Sequence, residues 1–295
     1  MKRLLALFLA LFLLFSFASC NGDGEGTGGE GENNGGEGEN NGGSVIEKKD
    51  PVVTDVGTAK DVYTFQKSVH SKDGYALPYR MYVPDDYSEE CAYPLVVFLH
   101  GAGERGRDNS LQLKNAVQKI FNDTDSPVYQ SIFIAPQCPE GEQWVNTPFD
   151  SGTYNSDEIA ETAALSVVMD LIASLQRNYS INPDRIYVMG ISMGGYGTWD
   201  LLVRHTDTFA AAIPICGGAD ASKASLLTAT PIKTFHGTAD YTVPKHGTES
   251  VVSAILAAGG TSVSYEAMEG KGHSIWDDVV TKDGLFDWLF AQRKS

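Results

Sequence analysis

Short apolar runs alternate with longer stretches of three- and four-residue periodicity along most of this chain. The runs at 95–99, 131–135, 185–189 and 209–215 are short and mostly apolar, 232–235 reads as a short buried strand, and 262–265 alternates polar with apolar residues. Such runs suit strands of a parallel sheet covered on both faces. Two earlier segments, 61–69 and 76–83, predict leading strands paired as an antiparallel hairpin. Between the runs at 131–135 and 185–189, Ala164, Val167, Val168, Leu171, Ile172 and Leu175 recur at helical spacing. That stripe predicts a helix, with Ser156 or Asp157 as its N-cap. Further helices are expected over 250–258 and 276–292. The alternation predicts a doubly wound, mostly parallel eight-stranded α/β sheet with right-handed crossovers.

The chemistry-bearing residues fall just beyond strand ends. Gly190-Ile191-Ser192-Met193-Gly194 follows the run at 185–189. A G-x-S-x-G turn between strand and helix lifts its serine above the sheet on a strained corner, beside a helix N-terminus that favours negative charge. Without partners it would be only a Gly-Ser turn. Asp240 follows the strand at 232–235, and His273 follows the one at 262–265. Imidazole can take the serine's proton, and a carboxylate fixes the ring's tautomer and stabilises the imidazolium. Asp220 also follows a strand and is the rival acid; Asp240 is preferred because it lies after the next strand. The glycine-rich loop at 101–106 follows the run at 95–99. It predicts Ala102 as one backbone donor to an oxyanion, with Met193 as the other. A tight turn needing positive φ would also explain those glycines.

Four motifs make a family resemblance specific. These are L-H-G-A-G-E-R-G (99–106), D-R-I-Y-V-M-G-I-S-M-G-G-Y-G-T-W-D (184–200), P-I-C-G-G (214–218) and A-P-Q-C-P (135–139) with Trp144. Together they resemble the esterase branch of the α/β-hydrolases, near the phospholipase/carboxylesterase, polyester depolymerase and feruloyl and acetyl-xylan esterase group. The resemblance spans roughly 60–292. It implies an α/β-hydrolase fold, acyl-ester hydrolysis and a triad of Ser192, Asp240 and His273. The connection 216–231 is too short for the helical lid many lipases carry, so no lid domain is expected. The long loop 137–156 carries Trp144, Phe149 and Tyr154, which either wall an acyl pocket or pin the loop to the body. Trp144 and Glu104 are taken as substrate-binding candidates. For Glu104 and Arg105, an ion pair within the loop is the competing role, and His100 and His236 read as structural.

The N-terminus adds a location. Lys2-Arg3 precedes an apolar run over 4–17, which reads as a signal peptide and is too short for a stable span. It ends at Phe17-Ala18-Ser19-Cys20, which resembles a bacterial lipobox with Phe17 where leucine is usual. Lipidated Cys20 is expected, with ordinary cleavage to a soluble protein as the alternative. Residues 21–44 are nearly all Gly, Asn, Glu and Asp, and the heptad at 28–34 repeats at 35–41. Such a segment is a flexible tether of about 30 Å root-mean-square span. The division is 1–19 signal, 20–48 tether and 49–295 catalytic domain, in an exported membrane lipoprotein of the outer membrane or cell surface.

Acids outnumber bases 38 to 22, a net charge of −16, so no basic stripe is available to neutralise phosphates and nucleic acid is excluded as a partner. Cys91, Cys138 and Cys216 are an odd number and read as free thiols, with a Cys138–Cys216 bridge conceivable. No metal or cofactor is expected. The expected substrate is an acylated plant glycan bearing short-chain or hydroxycinnamoyl esters. A prolyl-oligopeptidase-type peptidase would need a propeller domain for which this chain has no room, and a non-catalytic glycan-binding protein would be expected to lose a triad member.

Overall fold

The apolar runs assemble into one sheet, and its order decides where the chemistry goes. The computed structural model describes residues 48–51 and 58–294. The strands are β1 (Gln66–Lys72), β2 (Tyr75–Tyr82), β3 (Tyr93–Leu99), β4 (Ile132–Pro136), β5 (Ile181–Ile191), β6 (Ala211–Ile215), β7 (Ile232–Gly237) and β8 (Val263–Met268). The helices are α1 (Val117–Ile120), α2 (Ala163–Asn178), α3 (Met193–Arg204), α4 (His246–Ala257), α5 (Trp276–Val280) and α6 (Leu285–Ala291). Spatial order is β1-β2-β4-β3-β5-β6-β7-β8. β2 runs antiparallel to both β1 and β4, and every pair from β4 to β8 is parallel. The β1–β2 hairpin closes through Asp73 and Gly74, with φ of 50° and 82°. Two successive positive φ values match the twist of a tight hairpin.

Alternate residues of β3 feed two separate apolar layers, as the two-residue period of a strand requires. Leu95, Val97 and Leu99 pack with Leu171 of α2, Leu201 of α3 and Val251 of α4. Val96 and Phe98 pack with Val117 of α1, Val279 of α5 and Leu289 of α6. Because β3, β5, β7 and β8 are parallel, residues just beyond their C-terminal ends share one edge of the sheet. His100, Ser192, Asp240 and His273 all follow such an end.

Several boundaries differ from the sequence reading, each for a local reason. The first strand begins at Gln66, not Asp61. The Asp61 side chain accepts the Tyr63 N–H and curls Val62–Thr64 into a 3₁₀ turn. Helix α2 is capped by Thr162, whose hydroxyl accepts the Leu165 N–H. Ser156 instead donates its N–H and hydroxyl to Asp220. Helix α4 starts at His246, because small buried Gly247 and Thr248 extend it without an apolar signal. The expected helix over 276–292 is two helices, with Gly284 at φ 71° entering α6. Between β6 and β7 the chain forms one 3₁₀ helix, Ala221–Leu227. Among the described residues, no helix is long and apolar enough to cross a membrane. The signal segment, Cys20 and the repeats lie outside the described residues.

Candidate active site

The corner after β5 is built by close backbone approach. Ser192 has φ 53° and ψ −117° and donates its N–H to Ile215 O at 2.8 Å. That conformation is strained for a residue with a side chain, by about 1–3 kcal/mol. It persists because the surroundings leave the backbone no alternative. A Cβ on Gly190 would lie 2.3 Å from Gly194 O, and one on Gly194 would lie 1.9 Å from Leu99 O. Glycine at both positions lets α3 start directly against β3.

His273 and Asp240 complete a line of hydrogen bonds from that corner. His273 Nε2 lies 2.7 Å from Ser192 Oγ, and its Nδ1 lies 2.7 Å from Asp240 Oδ2. An ionised carboxylate only accepts, so Nδ1 carries the proton and Nε2 is free to accept the serine's. Burial works to raise the Asp240 pKa, but hydrogen bonds from His236, His273 and the Val243 N–H outweigh it and hold the carboxyl well below its usual range. Its Oδ1 accepts the N–H groups of Thr242 and Val243, both at 2.9 Å. Asp220 is not part of this line. It accepts the N–H and hydroxyl of both Ser156 and Ser222, and so ties the long loop to the turn after β6.

The loop after β3 brings backbone donors to the same place. A Cβ on Gly101 would lie 3.6 Å from Ser192 Cβ, which puts the neighbouring Ala102 beside the nucleophile. Among the described residues, neither the Ala102 nor the Met193 N–H donates to another group. The loop is held from several sides. Arg105 Nε donates to Ala102 O at 2.8 Å. His100 donates from Nδ1 to Gly101 O and accepts the Cys138 N–H at Nε2. Burial pushes the His100 pKa down to about 4, which keeps this bridging ring neutral.

Two substrate-binding expectations are corrected. Trp144 has no exposed surface and walls no pocket; its indole N–H donates to His100 O at 3.0 Å, under the loop. Glu104 is also buried, accepts Asn115 Nδ2, and has its pKa raised by burial. The Glu104–Arg105 ion pair does not form, since Arg105 turns to the carbonyls of Ala102 and Glu142. Tyr154 and Phe149 both pack against Tyr196, and the Tyr196 hydroxyl donates to Phe149 O. These rings pin the loop to the body.

Sequence reasoning missed two aromatics at the site. Trp276 meets the His273 ring edge-on, with centroids 5.7 Å apart. Tyr241, next to Asp240, is 95% exposed. The short spacings H-S-I-W and D-Y were the available signals. Cys91, Cys138 and Cys216 are free thiols. Cys216, His236 and Asp240 bring a sulfur, a nitrogen and an oxygen within 4.8 Å of one another, from three different segments. Each of these residues is already engaged in hydrogen bonds, the thiol through its contact with His273 O.

A poly(3-hydroxyalkanoate) depolymerase of Paucimonas lemoignei is 30% identical over 125 residues, which cover 42% of this chain and 28% of the depolymerase. A thermostable esterase of known structure is 34% identical with a TM-score of 0.71, over 79% of this chain and 64% of that one. A feruloyl esterase module from Clostridium thermocellum, solved with sinapinate, shares the fold at 15% identity and a TM-score of 0.55, over 79% of this chain and 92% of the module. The chain therefore spans less than two thirds of the depolymerase and of the thermostable esterase. The profile of the Phospholipase/Carboxylesterase family matches residues 87–283, a span that holds Ser192, Asp240 and His273. More than half of the chain lies within that match, and the chain belongs to the phospholipase/carboxylesterase family.

Proposed function

We propose that the protein is a serine carboxylic-ester hydrolase. The observation that carries this is the unbroken line Ser192 Oγ, His273 Nε2, His273 Nδ1, Asp240 Oδ2, with both contacts at 2.7 Å. As Ser192 Oγ attacks the ester carbonyl, His273 Nε2 takes its proton. The carbonyl oxygen becomes an oxyanion facing the free N–H groups of Ala102 and Met193, at the N-terminus of α3. One such donor is worth about 2.7–4 kcal/mol in the transition state. Collapse expels the alcohol, which receives the proton from His273, and leaves an acyl-Ser192 ester. Water then repeats the sequence and releases the acid. Asp240 stays ionised throughout and stabilises the imidazolium.

The substrate reading is an acylated plant glycan with acetyl or hydroxycinnamoyl groups. It is supported by the exposed Tyr241 that follows Asp240 in the chain, by the shortness of the 216–231 connection, and by likeness to esterases that include a feruloyl esterase module. Delivery to such a polymer is read from the sequence at 1–44, with lipid on Cys20 and a tether behind it.

Ser192→Ala and His273→Ala are each expected to abolish hydrolysis of p-nitrophenyl acetate, and the double variant to be no worse, because nucleophile and base act as a unit. Asp240→Asn should be severely impaired and Asp220→Asn near wild type; the reverse order would overturn the acid assignment. Acid stability should follow Asp240. Its folded pKa is depressed, so its contribution is full above the ordinary Asp value of about 3.9 and is lost as pH falls below it. Urea midpoints measured from pH 6 to pH 3 should therefore fall more steeply for wild type than for Asp240→Asn, and parallel curves would refute this. On a substrate panel, kcat/KM should be highest for acetyl or feruloyl sugar esters and decline in graded steps beyond about butyryl, at about 1–3 kcal/mol per misplaced methylene. A peak on long-chain triglyceride, polyhydroxyalkanoate or peptide amide would replace the substrate reading. Mass spectrometry of membrane-fraction protein should find the N-terminal Cys20 acylated; soluble protein with a different N-terminus would end the anchoring proposal.

A further inference from the structure

His236 is buried at the end of β7, four residues before Asp240, and its ring lies behind the triad, away from solvent. Its two nitrogens face a definite set of partners. Nε2 lies 2.9 Å from Val243 O and 3.2 Å from Asp240 Oδ2. Nδ1 lies 2.9 Å from Thr248 Oγ1, and that hydroxyl is also 2.9 Å from Gly217 O. The titratable groups around the ring are Asp240, from the loop after β7, and Cys216, from the end of β6. Helix α4 faces it with the uncharged Thr248.

Counting protons settles the donor. A carbonyl and an ionised carboxylate only accept, so Nε2 must carry a hydrogen. The threonine has one proton to place. Given to Nδ1, it leaves the ring neutral; given to Gly217 O, it requires a second proton on the ring. Under either arrangement Nε2 donates towards Asp240 and Val243.

That donation closes a circuit. Asp240 Oδ1 is held by two backbone N–H groups, and Oδ2 is shared between His236 and His273. Val243 is bound at both ends, its N–H on Asp240 and its carbonyl on His236. Thr248 continues the line to Gly217. A Cβ on Gly217 would lie 2.3 Å from the carbonyl carbon of Gly195, in the first turn of α3. The helix that begins at Ser192 is thus joined through Gly217, Thr248, His236, Asp240 and His273 back to Ser192.

We propose that His236 is a positioning residue for the Ser192 reaction, acting through Asp240: its Nε2–H fixes the carboxylate so that Oδ2 stays aimed at His273 Nδ1. This rests on the ester-hydrolase reading above. A purely structural histidine would affect stability and leave the pH dependence of turnover alone. A positioning histidine alters both the alignment of Asp240 and the share of its charge available to His273.

The test compares His236→Leu, which removes both ring nitrogens, with His236→Gln, whose amide N–H can replace the Nε2 donor, and with Thr248→Val, which removes only the partner of Nδ1. Thermal unfolding and full pH profiles for p-nitrophenyl acetate are measured alongside wild type and Ser192→Ala. In His236→Leu, kcat should drop by up to about a hundredfold, the size of effect that a misplacement of about 1 Å produces, with KM little changed. The acid limb of kcat/KM should move away from its wild-type position, because the alignment of Asp240 and the share of its charge that reaches His273 both change. His236→Gln should recover most of the rate and the wild-type limb, and Thr248→Val should shift the limb in the same direction by less. If His236→Leu does not fold, the same comparison between His236→Gln and Thr248→Val decides. A folded His236→Leu or Thr248→Val with wild-type kcat and an unmoved limb overturns the proposal, as does His236→Gln with no recovery at matched stability. Undiminished activity in Ser192→Ala would instead overturn the ester-hydrolase reading itself.

Discussion

The nucleophile and the oxyanion donors depend on one tight backbone crossing, where α3 starts against β3 with glycine at 190 and 194. A side chain at Gly194 would overlap Leu99 O, and one at Gly190 would overlap Gly194 O. The crossing forces Ser192 to φ 53° and puts its hydroxyl at the sheet edge. It also sets the first N–H groups of α3 beside the loop that follows β3. Nucleophile and oxyanion donors are therefore consequences of one packing constraint. The strain at Ser192 persists because β5, β6 and α3 leave the segment nowhere else to go.

The acid side of the site rests on a different principle, a carboxylate surrounded by donors. Asp240 is taken from water, which alone would raise its pKa, yet four N–H groups converge on its two oxygens and the balance favours the anion. A carboxylate so held can stabilise an imidazolium without taking its proton. The oxyanion loop follows the same logic with neutral groups. The His100 ring bridges Gly101 O and the Cys138 N–H, the buried Trp144 indole holds His100 O, and Arg105 holds Ala102 O. Residues that looked like substrate contacts turn out to shape the surface that the substrate meets.

What could be read from the sequence divides along the same physical line. Strand-end placement and the order Ser192, Asp240, His273 follow from hydrophobic runs and glycine, which act locally, so the sheet and the catalytic line were legible. Burial of a polar or aromatic side chain is decided by distant segments. That is why Trp144 reads equally as a pocket wall or as a pin for its loop, although its partner is His100, 44 residues earlier. Ser156 likewise offered a cap signal and is used instead by Asp220, 64 residues on. The His236 contact with Asp240 was within four residues, but the spacing alone gave no sign that the two side chains meet. The single helix expected over 276–292 is divided at Gly284, which enters α6 in the left-handed region.

The most direct measurement is covalent capture of the nucleophile. The protein is treated with an organophosphonate ester, and the modified residue is located by peptide mapping and mass spectrometry, with p-nitrophenyl acetate hydrolysis followed in parallel. A serine made nucleophilic by His273 and facing the Ala102 and Met193 N–H groups should take up one equivalent, at Ser192 alone, with activity lost in step. Label on another residue, or full modification of Ser192 with hydrolysis undiminished, would contradict the assignment of this corner as the catalytic centre.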